Sequence, residues 1–117
     1  MRYAKSGTSD EALAIATSDA REIMTGGITT GRVFRLRSIQ LNNEHVSQDA
    51  VVKLFDAAEG AQSDDTACVT AIIVPARSTV IADFDPGLLF KTNLTAGLEA
   101  ATGTFGAYKQ SACGYEE

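Results

Sequence analysis

The residue types that do chemistry are few in this chain and widely spaced. His45 is the only histidine, so neither a Ser-His-Asp triad nor a histidine-rich metal site can be built around it. In Asn42-Asn43-Glu44-His45 it reads as a polar turn residue. Serine, threonine and aspartate are plentiful, but no G-x-S-x-G or S-x-x-K run marks a nucleophile. Carboxylates pair at Asp64-Asp65 and at Asp83-Phe84-Asp85. Such pairs could help hold Ca²⁺, yet a calcium site takes about six or more oxygens and no stretch here has that spacing. In polar loops nothing raises their pKa for acid–base work, so they read as solvated turn residues. No catalytic, cofactor-binding or metal-ligating residue is expected.

Cys68 and Cys113 lie far apart and form no C-x-x-C pair. Two readings stay open: two unpaired thiols made in a reducing cytosol, or a single bridge between their strands. Asn93-Leu94-Thr95 fits the N-glycosylation pattern, but with no signal segment at Met1 the match is expected to be accidental. Arg32, Arg35 and Arg37 crowd one segment, with Arg21 upstream. At period two Arg35 and Arg37 share a face, where a guanidinium fork pairs either with this chain's own carboxylates or with acidic groups on a neighbouring subunit. Ten basic against fifteen acidic residues give a net charge of −5, which argues against nucleic-acid binding, since phosphate neutralisation needs clustered basic residues in excess. No apolar run approaches the roughly 20 residues of a membrane span. A soluble protein made in a cytoplasm is expected.

The elements that must position these residues are short. A chain of 117 residues is one domain, able to bury roughly two-thirds of its unfolded surface without a staple. Hydrophobic residues make up 44% and Trp is absent, which favours a sheet core of small and β-branched side chains. Residues 1–27 read as an N-terminal arm. Thr8-Ser9-Asp10-Glu11 fits a helix capping box, but Thr17-Ser18-Asp19 is poor helix material and Leu13, Ile15 and Thr17 alternate, so the arm reads as extended and strand-containing.

Residues 28–117 read as the folded domain. From Ile28 to Asn42 the pattern has period two with both faces partly apolar, which fits a strand covered on both sides or a bulge near Arg37-Ser38 that changes which residues point inward. Ala50–Ala57 reads as a strand, Ala58–Thr66 as a polar loop, and Cys68–Val74 as a central core strand ending at Pro75. Pro86-Gly87 falls between two apolar runs and reads as a type II turn at the tip of a hairpin. The hairpin's apolar surplus is either core or an exposed patch at a subunit contact. Leu98–Ala101 and Phe105–Tyr115 complete the count, split by Thr102-Gly103-Thr104. Seven or eight short strands without strand–helix alternation predict an all-β, antiparallel β-sandwich, jelly-roll or immunoglobulin-like.

From Thr30 onward the chain resembles small β-sandwich virion proteins of tailed bacteriophages. The likeness is carried by Arg37-Ser38-Ile39-Gln40-Leu41-Asn42-Asn43, Val51-Val52-Lys53-Leu54-Phe55-Asp56, Val74-Pro75-Ala76 and Pro86-Gly87-Leu88-Leu89-Phe90-Lys91-Thr92. It implies a structural protein of the virion, assembled in the host cytoplasm: a capsid decoration (cement) protein, or an accessory protein of neck, tail or fibre. It also implies partners among the major capsid protein and other virion subunits, and a homo-oligomer, with neither nucleic acid nor membrane. Tyr3, Arg21, Arg35 and Arg37 are the candidate subunit-interface residues. The rival is a carbohydrate- or receptor-binding sandwich, which would present aromatic rings for stacking; here the only tyrosines are Tyr3, Tyr108 and Tyr115.

Overall fold

The computed structural model describes residues 2–9, 12–24, 26–63, 65, 67–99 and 110–117. These form β1 (Tyr3–Ser9), α1 (Ala16–Asp19), β2 (Arg21–Glu22), β3 (Phe34–Asn43), β4 (Ala50–Asp56), β5 (Cys68–Val74), β6 (Ser78–Phe90), β7 (Leu94–Leu98) and β8 (Gln110–Glu116). The pairing is nested: β4 with β5, β3 with β6, β2 with β7 and β1 with β8, all antiparallel. The chain is one long hairpin whose tip lies between Asp56 and Cys68. That double ribbon is rolled so that β3 also meets β8 and β4 also meets β7. Two four-stranded sheets result, β1-β8-β3-β6 and β2-β7-β4-β5. Of the two expected sandwich forms, this nested order is the jelly roll.

The core lies between the sheets. Phe34, Leu36, Ile39 and Leu41 of β3 face Val52 and Leu54 of β4 and Leu94, Ala96 and Leu98 of β7, with Phe90 and Ala112 beside them. Each fully buried large side chain contributes roughly 1.5–3 kcal/mol. The mixed pattern of β3 resolves as a bulge: its register with β8 shifts between Leu36 and Ser38. Arg37 is the extra residue, so Phe34 and Leu36 before it and Ile39 and Leu41 after it all turn inward.

Three expectations are corrected. Pro86-Gly87 is no hairpin tip, because β6 runs through it from Ser78 to Phe90. The register with β3 passes from Asp83–Ser38 to Leu88–Leu36, so the Pro-Gly segment is a bulged stretch of one strand; the Asp85–Pro86 peptide bond is cis. Proline is tolerated because β6 is an edge strand, whose outer side carries no ladder bond to lose. Second, Cys68–Val74 has the expected bounds but lies at the edge of its sheet, not at its centre, with Val69 and Ile73 exposed. Third, residues 1–27 do not form an arm apart from the sandwich. They supply β1 to one sheet and β2 to the other, and Leu13, Ile23 and Met24 to the core. The strand reading of this segment holds for β1 and β2, and its helix is the single turn α1.

The last strand is β8, and β7 ends at Leu98. Residues 105–109 of the expected final strand, the 102–104 split, the end of the expected Leu98–Ala101 strand, Tyr108 and Asp64 lie outside the described residues, as do Asp10 and Glu11 of the capping box.

Candidate functional site

The two outer faces of the sandwich differ in what covers them. On the β2-β7-β4-β5 sheet strand alternation turns Phe55 to the side opposite Val52 and Leu54, where it packs with Ala16, Ala20 and Ala57. The Gln62 amide donates to the Ala16 carbonyl at 2.7 Å, and Ala20 and Gly60 exchange backbone hydrogen bonds at 2.9 and 3.1 Å. Gly97 admits this cover: a Cβ there would stand 2.7 Å from Ala16 Cα. The chain thus roofs the part of this face over Phe55 and Gly97 with its own segments, while Ile73 on β5 stays 65% exposed.

The outer face of the β1-β8-β3-β6 sheet has no such roof among the described residues. Strand alternation brings small polar side chains to it, and register sets them in rows across all four strands. One row is Ser6, Cys113, Ser38 and Asp83; the next is Thr8, Ser111, Gln40 and Ile81. A shallow groove of about 300 Å³ runs over all of them but Asp83, and Ile81 is 62% exposed at its edge. Until Asp83 at the rim the rows carry no charge. Hydroxyls and one amide both donate and accept, so the face can bond a partner's backbone or side chains without opposing charge.

Toward the termini the same face gains charge and rings. The Arg2 guanidinium lies 4.8 Å from the centre of the Tyr115 ring, and Arg35 Nε donates to Glu117 Oε1 at 3.1 Å. Beneath, Glu116 accepts from the Thr29 amide at 2.6 Å and the Thr29 hydroxyl at 2.9 Å, with Lys5 Nζ at 3.6 Å. Burial pushes the Glu116 carboxyl up, but the Thr29 hydrogen bonds and the Lys5 ammonium outweigh it and hold its pKa below the ordinary 4.5.

Comparison of the chain with protein-family models, with characterised proteins and with solved structures finds no match. The geometry of the face is what bears on function.

Of the expected interface residues, the structure gathers three around this sheet. Arg35 lies on the face itself, opposite Tyr115 and Leu89. Arg37 stands at the bulge, 3.9 Å from Asp85. Tyr3, on β1, holds the Arg32 guanidinium 3.8 Å from its ring centre. Arg21 belongs to β2 in the other sheet and pairs with Asp19 at 2.8 Å. Arg35 and Arg37 therefore pair with the chain's own carboxylates, one of the two readings left open. Cys68 and Cys113 are free and exposed, on different sheets. Asp83 and Asp85 are strand residues on β6, not turn residues, and the described residues hold no group of three metal-capable side chains. His45 is a turn residue as expected, its Nδ1 accepting from the Ser47 and Gln48 amides at 3.1 and 3.0 Å. Of the acceptor pattern, Thr95 is buried and Asn93 Nδ2 donates to Glu22 Oε1 at 3.2 Å.

Sequence reasoning missed Ser6, Thr8, Ser111 and Gln40. Their signal was the alternation of small polar side chains in Ser6-Gly7-Thr8 and Ser111-Ala112-Cys113, which is too common in polar strands to mark a surface by itself.

Proposed function

We propose that this chain is a structural protein of a tailed-phage virion, a decoration or cement protein that docks on coat subunits rather than acting as an enzyme. The observation that carries the reading is the asymmetry of the two outer faces. A sandwich that covers part of one sheet's outer face with its own segments and leaves on the other, among the described residues, uncharged rows of hydroxyls along a shallow groove is suited to lie against a partner. A wide polar platform gives modest affinity per copy, and a repeating lattice converts that into firm retention. The jelly roll is compatible with such a role, being used in viral capsids and also in lectins, and the resemblance of residues 30–117 to phage virion proteins favours the former. Against a sugar-binding role, the ring of Tyr115 already stacks with Arg2.

Quantitative mass spectrometry of purified particles of the encoding phage tests this. Hundreds of copies per particle are the result expected for a shell protein. A few to a few dozen would move the chain to neck, tail or fibre, and none would overturn the virion reading.

A further inference from the structure

Where β3 ends and β6 begins, the uncharged rows lead into a cleft that carries charge. Asn42 pairs with Thr79 and Asn43 with Ser78, next along the strands from Gln40 and Ile81. Asn42, Asn43, Glu44, Arg77, Ser78 and Thr79 line a space of about 360 Å³, at the small end of ligand sites. Two turns are laced together to hold it. The Asn43 side-chain amide donates to the Gln48 and Val74 carbonyls at 2.9 and 3.1 Å, and its Oδ1 accepts from the His45 amide at 3.0 Å. Asp49 Oδ1 accepts from the Ala76 amide at 3.0 Å, and the His45 carbonyl accepts from the Arg77 amide at 3.0 Å. Within that frame Arg77 takes φ 55°, the one described non-glycine residue with positive φ, a conformation that costs any residue with a Cβ. Its side chain does nothing for the fold in return. Five arginines are engaged: Arg2 and Arg32 with the rings of Tyr115 and Tyr3, Arg21 with Asp19, Arg35 with Glu117, Arg37 with Asp85. Arg77 is exposed at the cleft, and its guanidinium has no partner among the described residues.

We propose that this cleft binds the carboxylate side chain of an acidic peptide segment, with Arg77 as its anchor. Backbone strain that brings the fold no contact points to a role outside it. A guanidinium fork meets a carboxylate through two parallel hydrogen bonds, and a frame already fixed by hydrogen bonds loses little freedom on binding. Glu44 accepts and does not donate, so the ligand must also bring an N–H. A peptide brings its backbone amide beside the carboxylate, whereas sulfate brings none. No aromatic ring is among the lining residues, which leaves a sugar without a stacking surface. The assignment to a protein partner rests on the docking reading above, and it names what that partner brings to one end of the face. The chemistry of the cleft is tested on the isolated chain, so its failure is distinct from a failure of the virion reading, which copy number decides.

An NMR titration of the isotope-labelled full chain with the capped tripeptide Gly-Glu-Gly tests the proposal. The Arg77 Nε–H resonance is expected to shift and saturate, while that of Arg35, already bonded to Glu117, stays in place. Exchanging Glu for Gln in the peptide, or Arg77→Gln in the chain, is expected to weaken binding about tenfold or more, the worth of a charge-assisted hydrogen bond. An equal response of Arg77 and Arg35, or of the two peptides, overturns the site. Glucuronic acid offers the same carboxylate on a sugar; saturation by it and none by the peptide overturns the assignment to a protein partner. Arg77→Gly separates binding from folding, because glycine takes the left-handed conformation freely. This variant is expected to lose the response with a urea midpoint that holds or rises. A midpoint that falls makes the guanidinium part of the fold and overturns the reading of its strain.

Discussion

Glu116 sits where the two ends of the chain meet, and it shows what one residue does for the closure. Its carboxylate takes the amide and hydroxyl of Thr29 and faces Lys5, tying β1 and the segment before β3 to β8. Because these partners hold its folded pKa below the ordinary value, its contribution to stability is fully present above about pH 4.5 and is lost as pH falls through the lower, folded value. Glu116→Gln should cost about 1 kcal/mol at neutral pH, the scale of a hydrogen bond. It should also flatten the fall in stability on acidification below pH 4.5. Urea unfolding midpoints measured from pH 7 to pH 3 check both; parallel wild-type and variant curves would refute the assignment.

At the scale of elements, the fold depends on close approaches that strand propensity opposes. Gly97 is a poor strand former, yet it lets α1 lie on β7, and a Cβ would meet Ala16 Cα at 2.7 Å and Ala16 Cβ at 2.8 Å. Gly97→Ala, which an isolated strand would welcome, should therefore destabilise by about 1–3 kcal/mol, the usual cost of overpacking. Equilibrium denaturation measures it, and an unchanged or raised midpoint would mean that the α1 cover is not packed as described. The Pro-Gly stretch of β6 illustrates the same point from the other side. Its local chemistry is that of a turn, but pairing with β3 on both flanks keeps the chain extended.

For the whole molecule, nested pairing means that strands joined late in the roll are distant in sequence, with β1 and β8 at its extremes. Loop closure must precede most of the stabilising contacts, so refolding should take on the order of milliseconds to seconds. Stopped-flow refolding from denaturant checks this, and a microsecond phase carrying the full amplitude would contradict it. Much of the architecture is legible in the residues alone. Period-two runs at Val51–Phe55 and Ile39–Leu41, the missing strand–helix alternation and the parity break at Arg37 depend on local chemistry, and local chemistry is what a sequence carries. The bounds of β5 are legible for the same reason, but its place at a sheet edge is not, since a nearly all-apolar run reads alike at the centre of a sheet and at its edge. Nor can residues 1–27 be placed from their own pattern: Leu13, Ile23 and Met24 have no partner until the roll brings β1 to β8 and β2 to β7. The sequence by itself determined that this is an all-β sandwich, and offered a bulge near Arg37-Ser38 as one of two readings of the strand there. Only the tertiary structure decided which face is bare among the described residues and which strands lie at the sheet edges, because both depend on pairings between residues far apart in the chain.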